Sequence, residues 1–378
     1  MGYLDIQSRE DIDELIEKTL SSYYHTTVRF SDTYQKHSFI LNPRINSIVY
    51  DKPSAAVKRM VRRGHVVQRN RVLYWASQVY LHLAFSKHSR FGCKYIIFDD
   101  LPKHPENIYI MPGNMKLKIF DLSQHMVISL LKDGYDTDAL KKECAVRLHP
   151  QWFFIPSLVT EGDNQCREKI LDGCTLDRLP RAERSAADVK VRRIITDVQR
   201  KDREIVSGAE YGHDLYRQIL SDLSLLQCDD SIKFAIETVA AYLTEQVQGD
   251  ITIAFSHGDF QKGNLLACTD GNVYVLDWDT HARRSLGYDI LTYFYSLHYR
   301  NDWWMRIDHF LQDEQWETLA AHYYDGLADK HTVLAVYLLE DILWTLQECL
   351  AAPEQRPSQG VLRYAEGSFY EELQNRLG

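Results

Sequence analysis

The strongest chemical signal in the chain is the run Ser256-His257-Gly258-Asp259-Phe260-Gln261-Lys262-Gly263-Asn264, followed by Val275-Leu276-Asp277-Trp278-Asp279. Apolar residues precede each run, at 251–255 and 273–276. The polar residues are therefore expected at strand ends or in loops, where a scaffold presents side chains to a ligand. Asn264 offers a neutral oxygen and Asp277 a carboxylate, and a hard cation such as Mg²⁺ takes one or two such oxygens from protein. Asp259 is then left to accept a proton from an attacking hydroxyl. A base with two metal ligands is the division of labour that phosphoryl transfer needs.

These loops need strands and helices to hold them. Short β-branched or aromatic runs at 95–98, 108–111, 115–120 and 126–131 are separated by Asp99-Asp100, Pro112-Gly113-Asn114 and Asp133-Gly134, which predicts an antiparallel sheet. A helix is expected over 138–148 and a strand over 153–159. Helices with polar breaks follow over 186–249, and strands alternate with loops over 252–280. From 288 onward helices rich in Trp and Tyr dominate. Upstream, Ile12, Leu15, Ile16 and Leu20 share one face of a helix over 9–22, which Ser8 and Asp11 could cap. A second helical region, 55–87, is basic first and apolar later. A small β segment thus precedes a larger α segment, and the chemistry is expected between them.

HGDxxxxN followed by an apolar strand and DWD resembles the aminoglycoside phosphotransferase and choline kinase family, a branch of the protein-kinase-like fold. The resemblance covers roughly residues 105–350 and implies an α+β, two-lobed fold: a small antiparallel β N-lobe, a larger helical C-lobe, and here an extra N-terminal segment. It implies Asp259 as catalytic base and Asn264 and Asp277 as metal ligands. Gly287-Tyr288-Asp289 looks like the family's downstream element, with Asp289 structural, and Ile170-Leu171-Asp172-Gly173-Cys174-Thr175-Leu176 is similar to its hinge. Nucleotide contacts are expected from Gly113, from Lys132, which alternation places with Ile128 and Leu130, and from Glu143 as the acidic partner of Lys132. Lys118 is the alternative lysine. The implied domains are 1–95, a mostly helical extension; 96–176, the N-lobe; and 177–378, the C-lobe with the catalytic and metal-binding loops. The implied activity is an ATP- and Mg²⁺-dependent phosphotransferase acting on a hydroxyl of a small molecule or glycoconjugate. A protein kinase and a nucleotide-binding pseudokinase scaffold are the alternatives; an intact Asp259, Asn264 and Asp277 weighs against the scaffold.

Other residues admit two readings each. His257 is a base or metal ligand, or a buried scaffold residue, the second preferred. Asp279 is a further metal contact or a loop cap. Lys262, His281, Arg283 and Arg284 touch an anionic group or are solvated. The basic run 58–71, with Arg59, Arg62 and Arg63 on one helix face and Arg69 beyond, is a solvated helix paired with the acidic helix at 10–17, the reading preferred, or it contacts anionic lipid, a phosphorylated sugar or nucleic acid. The aromatic residues Trp303, Trp304, Trp316, Tyr323, Tyr324, Tyr337 and Trp344 are mostly core, with some available to an acceptor.

Composition bounds the rest. The chain has 378 residues, 45% hydrophobic and 26% charged, with a formal charge of −9, which suits a folded protein and disfavours nucleic acid as a partner. No apolar run is long enough to cross a bilayer. The N-terminus lacks the pattern of a signal peptide, and Ile6 stands where a myristoylation site wants Ser or Thr. The seven cysteines include no CxxC pair, so reduced thiols and a cytoplasmic location are expected.

Overall fold

The computed structural model describes residues 12–65, 71–84, 93–298, 302–314, 316 and 328–378. The capping box of Ser8 and Asp11, the N-terminal targeting signals, Arg69, Tyr323 and Tyr324 lie outside these residues. The chain forms two compact units: the residues up to Asp188 with Leu265–Leu276, and Val189–Asn264 with Asp277–Gly378. The expected class is observed, with an antiparallel sheet in the first unit and mostly helices in the second.

The first unit is built on β1 (Val28–Ser31), β2 (Phe39–Asn42), β3 (Ser47–Tyr50), β4 (Lys94–Phe98), β5 (Ile108–Pro112), β6 (Lys116–Asp121), β7 (Met126–Leu131), β8 (Leu158–Gly162) and β9 (Gln165–Lys169). They form one nine-stranded sheet in the order β1-β4-β2-β3-β5-β6-β7-β9-β8, every pair antiparallel. Its helices are α1 (Ile12–Tyr24), α2 (Ala55–His65), α3 (Arg71–Ala84) and α4 (Asp138–Leu148). Residues 28–50, expected in a helical extension, supply three strands to the sheet that carries β5–β7. Each of those strands has only four residues, too few for periodicity to reveal. The strand expected over 153–159 begins instead at Leu158, because 151–155 forms turns.

Alternation sorts the sheet's side chains. Ile48, Ile110, Leu117, Ile119 and Leu130 are buried on one face. On the other, Val49 and Tyr109 pack with Val57 and Val61 of α2 and Leu81 of α3. Full burial of each aliphatic side chain contributes about 1.5–3 kcal/mol. The Pro112–Asn114 turn is tight: Gly113 donates its N–H to the Lys116 carbonyl at 2.8 Å. A Cβ on Gly113 would come within 2.9 Å of that oxygen, so only glycine fits without a shift. A smaller sheet, β10 (Gly173–Thr175), β13 (Leu265–Cys268) and β14 (Val273–Val275), completes the unit, the hinge-like segment supplying β10.

In the second unit, β12 (Asp250–Ser256) lies between β11 (Glu204–Ser207) and β15 (Ala282–Ser285). Helix α5 (Arg181–Gln199) spans the boundary between the units in sequence. It is followed by α6 (Gly208–Leu225), α7 (Asp230–Glu245), α8 (Gly287–Ile290), α9 (Trp303–Gln312), α10 (Lys330–Leu350), α11 (Gln359–Leu362) and α12 (Phe369–Leu377). Helix α10 is buried on nearly every side and lies against α6 and α7. Its Glu340 accepts from Ser285 N–H at 2.6 Å, Ser285 Oγ at 2.7 Å and Tyr211 Oη at 2.8 Å, tying β15 and α6 to it. Trp303, Trp316 and Tyr337 are core, as expected. Among the described residues no helix is long and apolar enough to cross a membrane, and all seven cysteines are free.

His65 makes the first unit sensitive to acid. Burial, with the positive charge of Arg178, lowers its pKa from 6.5 to about 4. The unfolded chain therefore binds the proton more readily, and stability is lost as pH falls from about 6.5 towards 4. Replacing His65 by Gln should flatten that part of the pH dependence in urea denaturation, while leaving the slope below about pH 4 to the carboxylates.

Candidate active site

The catalytic-loop candidate begins where β12 ends. His257 is fully buried, edge-on to Trp278 with centroids 4.6 Å apart and to Phe260 at 5.6 Å. Its Nδ1 accepts from Asp259 N–H at 3.2 Å, and its carbonyl accepts from Thr280 Oγ1 at 3.0 Å. His257 is therefore the scaffold residue preferred from the sequence. The N–H groups of His257 and Gly258 both donate to the carboxylate of Asp289, at 2.8 and 3.0 Å. Asp289 is 1% exposed and lies in α8, which gives it the structural role expected of it. Gly258 has φ +87°, and a Cβ there would fall 2.4 Å from both the Thr280 carbonyl and Arg284 Nη1. Neither the conformation nor the space admits another residue.

This anchoring presents Asp259. Its Oδ2 accepts from Asn264 Nδ2 at 2.7 Å and from Gln261 Nε2 at 2.9 Å. Asn264 Nδ2 also reaches the Asp259 carbonyl at 3.0 Å. With its NH₂ group committed to Asp259, Asn264 has its carbonyl oxygen as the remaining ligand atom. Gln261 was not singled out from the sequence, because nothing in its spacing separates it from the variable positions of the loop. His298 was missed too: burial lowers its pKa, and the Asp259 carboxylate opposes that shift.

Asp277 sits in the left-handed region, φ +58° and ψ 69°, at the start of the short turn Trp278–Thr280. Asp tolerates this conformation better than most residues but at a cost. The turn is held by Trp278, fully buried between His257 and Phe255. The two sequence motifs therefore meet through His257 and Trp278, each next to or near a candidate carboxylate. The flanking side chains are engaged locally: His281 Nδ1 with the Trp278 carbonyl at 2.7 Å, Arg283 with Glu204 at 2.5 Å, and Arg284 with the Thr280 carbonyl at 2.9 Å. Lys262 Nζ lies 5.4 Å from the centroid of the Tyr293 ring.

In the first unit the expected pairing is corrected. Glu143 Oε2 accepts from Lys116 Nζ at 2.8 Å, and Glu143 Oε1 from Arg147 at 2.6 Å. Arg147 continues to Glu168 and, through Nε, to the Pro156 carbonyl at 3.0 Å. Lys132 is instead buried with Nζ on the carbonyl of Asn114, 2.8 Å away, where it secures the turn that contains Gly113. The register explains the exchange. Lys116 pairs with Leu131 and Lys118 with Ser129, so both lysines share one face, while Lys132 follows Ile128 and Leu130 on the other. Lys116 was not singled out from the sequence, which offered Lys132 and Lys118; that it meets Glu143 depended on the fold.

No family model matches the chain, and no curated protein matches it. Solved structures do. It is similar to an ethanolamine kinase of Plasmodium vivax, with 13% identity over 84% of this chain and 94% of that one and a TM-score of 0.43. It is also similar to a choline/ethanolamine kinase family protein of Mesorhizobium loti, with 14% identity, 71% and 90% coverage, and a TM-score of 0.45. A third is an aminoglycoside phosphotransferase in ternary complex with ADP and hygromycin B, with 15% identity, 68% and 94% coverage, and a TM-score of 0.45. These are the families that the HGDxxxxN motif resembles. At such identities and scores the functional reading rests on the chain's own residues.

Gly258→Ala tests the loop anchor. Strain at positive φ together with the contacts on Thr280 and Arg284 should destabilise the second unit by more than about 1 kcal/mol. Chemical denaturation should show this, and a stability equal to wild type would mean that the loop is not held as described.

Proposed function

We propose that the chain is a phosphotransferase that moves the γ-phosphate of ATP to a hydroxyl of a small molecule or glycoconjugate, with Mg²⁺, in the cytoplasm. The observation that carries this reading is Asp259, a half-buried carboxylate oriented by Asn264 and Gln261 on a loop anchored by Asp289. Asn264 and Asp277 offer the oxygen donors that Mg²⁺ prefers, so the residues fit that ion. When bound, the ion would neutralise phosphate charge.

The chain's own residues do the rest. Asp259 Oδ1 or Oδ2 accepts the proton of the acceptor hydroxyl, which raises its nucleophilicity as it attacks the γ-phosphorus, while the bond from that phosphorus to the bridging oxygen breaks and ADP leaves. Asn264 and Gln261 keep that carboxylate from rotating. Asn264 thereby serves twice, with its amide N–H on the base and its oxygen toward the ion. In the first unit Lys116, held by Glu143, is the cation for the nucleotide phosphates. It replaces Lys132 in that role, and Gly113 keeps the neighbouring turn tight.

ATP consumption with Mg²⁺ and a panel of hydroxylated acceptors tests the whole reading, and failure to bind ATP would sink it. Asp259→Asn should keep ATP binding and lose transfer by roughly 10²-fold or more, since the base is removed and the nucleotide contacts are not. Wild-type turnover in that variant would remove Asp259 from the mechanism.

The two lysines separate in a second experiment. Lys116→Met should lower kcat/KM for ATP by roughly 10- to 10²-fold, the value of one or two charged hydrogen bonds. Lys132→Met should act mainly on stability, because it leaves the buried Asn114 carbonyl without its donor. The reverse pattern would restore Lys132 as the nucleotide lysine.

A further inference from the structure

Helix α3 faces the wrong way for a helix of a water-soluble domain. It packs inward through Leu81, 1% exposed, in the cluster with Val57 and Val61. On the opposite side Val72 is 74% exposed, Trp75 67%, Val79 57% and Leu83 48%. Their spacing of three, four and four residues makes one continuous stripe. A helix normally turns such a stripe to the core and its charges to water.

The neighbouring helix supplies charge. In α2, Val57 and Val61 point inward, while Arg59 and Arg63 are exposed and Arg62 is half-buried. Arg63 pairs with Asp172, which offsets one of these charges. Neither helix contains an Asp or Glu. The bias extends well beyond them: residues 52–98 contain ten Lys and Arg and no Asp or Glu, in a chain whose formal charge is −9. Helices α2 and α3 lean on the same core cluster and on each other, and each turns its other face outward.

We propose that this α2–α3 face binds the surface of an anionic lipid bilayer. Trp75 and Val79 enter the boundary between headgroups and acyl chains, where the amphipathic indole is favoured, and Arg59, Arg62 and Arg63 lie against lipid phosphates. A field that stays predominantly positive after Asp172 offsets Arg63 suits an anionic surface, and it attracts that surface within a Debye length. The inference does not depend on the phosphotransferase reading, and its test uses no activity.

The full chain would be sedimented with vesicles of phosphatidylcholine alone and with vesicles containing phosphatidylserine, across a range of salt. Binding to the phosphatidylserine vesicles is expected, weakening as salt rises and falling to background with phosphatidylcholine alone. Arg59→Glu and Arg62→Glu should each weaken binding by roughly fivefold or more. Trp75→Gln with Val79→Asp should abolish it without lowering the melting temperature, because both side chains are exposed. Trp75→Gln alone provides a milder variant if the pair impairs folding, and it should weaken binding measurably. Equal binding to both vesicle types, or variants that bind like wild type, would overturn the proposal. So would a wild-type dimer in sedimentation equilibrium that the Trp75/Val79 variant converts to monomer, since the stripe would then belong to a second copy of the chain.

Discussion

The candidate active site hangs on one buried carboxylate. Asp289 accepts the backbone N–H groups of His257 and Gly258, and hydrogen bonds to a charged group of this kind contribute about 1.5–3 kcal/mol each. Two consecutive amides can face one carboxylate only if the chain turns sharply between them, and Gly258 provides that turn with its positive φ. His257 is then driven between Phe260 and Trp278, and its ring nitrogen accepts the amide of Asp259. Asp259, the proposed base, is thus positioned by main-chain contacts that tolerate little motion, as a proton acceptor requires.

The first unit shows a different economy of charge. Lys116, Glu143, Arg147 and Glu168 form a buried chain of alternating sign, each member within reach of the next. Removing water from such charges is costly unless every one has a partner, so the chain acts as a single cooperative element. It couples the start of β6 to α4 and β9. In the proposed role, a lysine held this way would be ordered before any phosphate arrives, which lowers the entropy lost on binding. Lys132, only one residue past β7, is diverted to the Asn114 carbonyl and contributes to shape instead.

Charge is also distributed unevenly over the whole chain. The acidic balance of the sequence hides a stretch from 52 to 98 that carries cations alone. In the fold, that stretch contributes α2 and α3, whose inward faces build the cluster around Tyr109 and whose outward faces are basic and apolar.

Much of the site could be read from the sequence because its chemistry is local. Asp259, Gln261 and Asn264 lie within one loop, and their hydrogen bonds span two to five residues. Strands β4 to β7 and helix α4 were legible for a related reason: alternation and turn residues act over short distances. The strands at 28–50 were not, since four-residue elements acquire their identity from the neighbours they pair with. The choice between Lys116 and Lys132 is of the same kind. It depends on strand register, on which face of the sheet meets α4, and on 27 residues of separation between Lys116 and Glu143. The outward direction of the apolar stripe on α3 likewise appears only once Leu81 is seen to face the core. Sequence determined that Asp259, Asn264 and Asp277 are the candidates for the chemistry, because their motif is local. Tertiary structure decided which lysine Glu143 holds and which faces meet water, because pairing across strands and burial are properties of neighbours that the chain brings together only by folding.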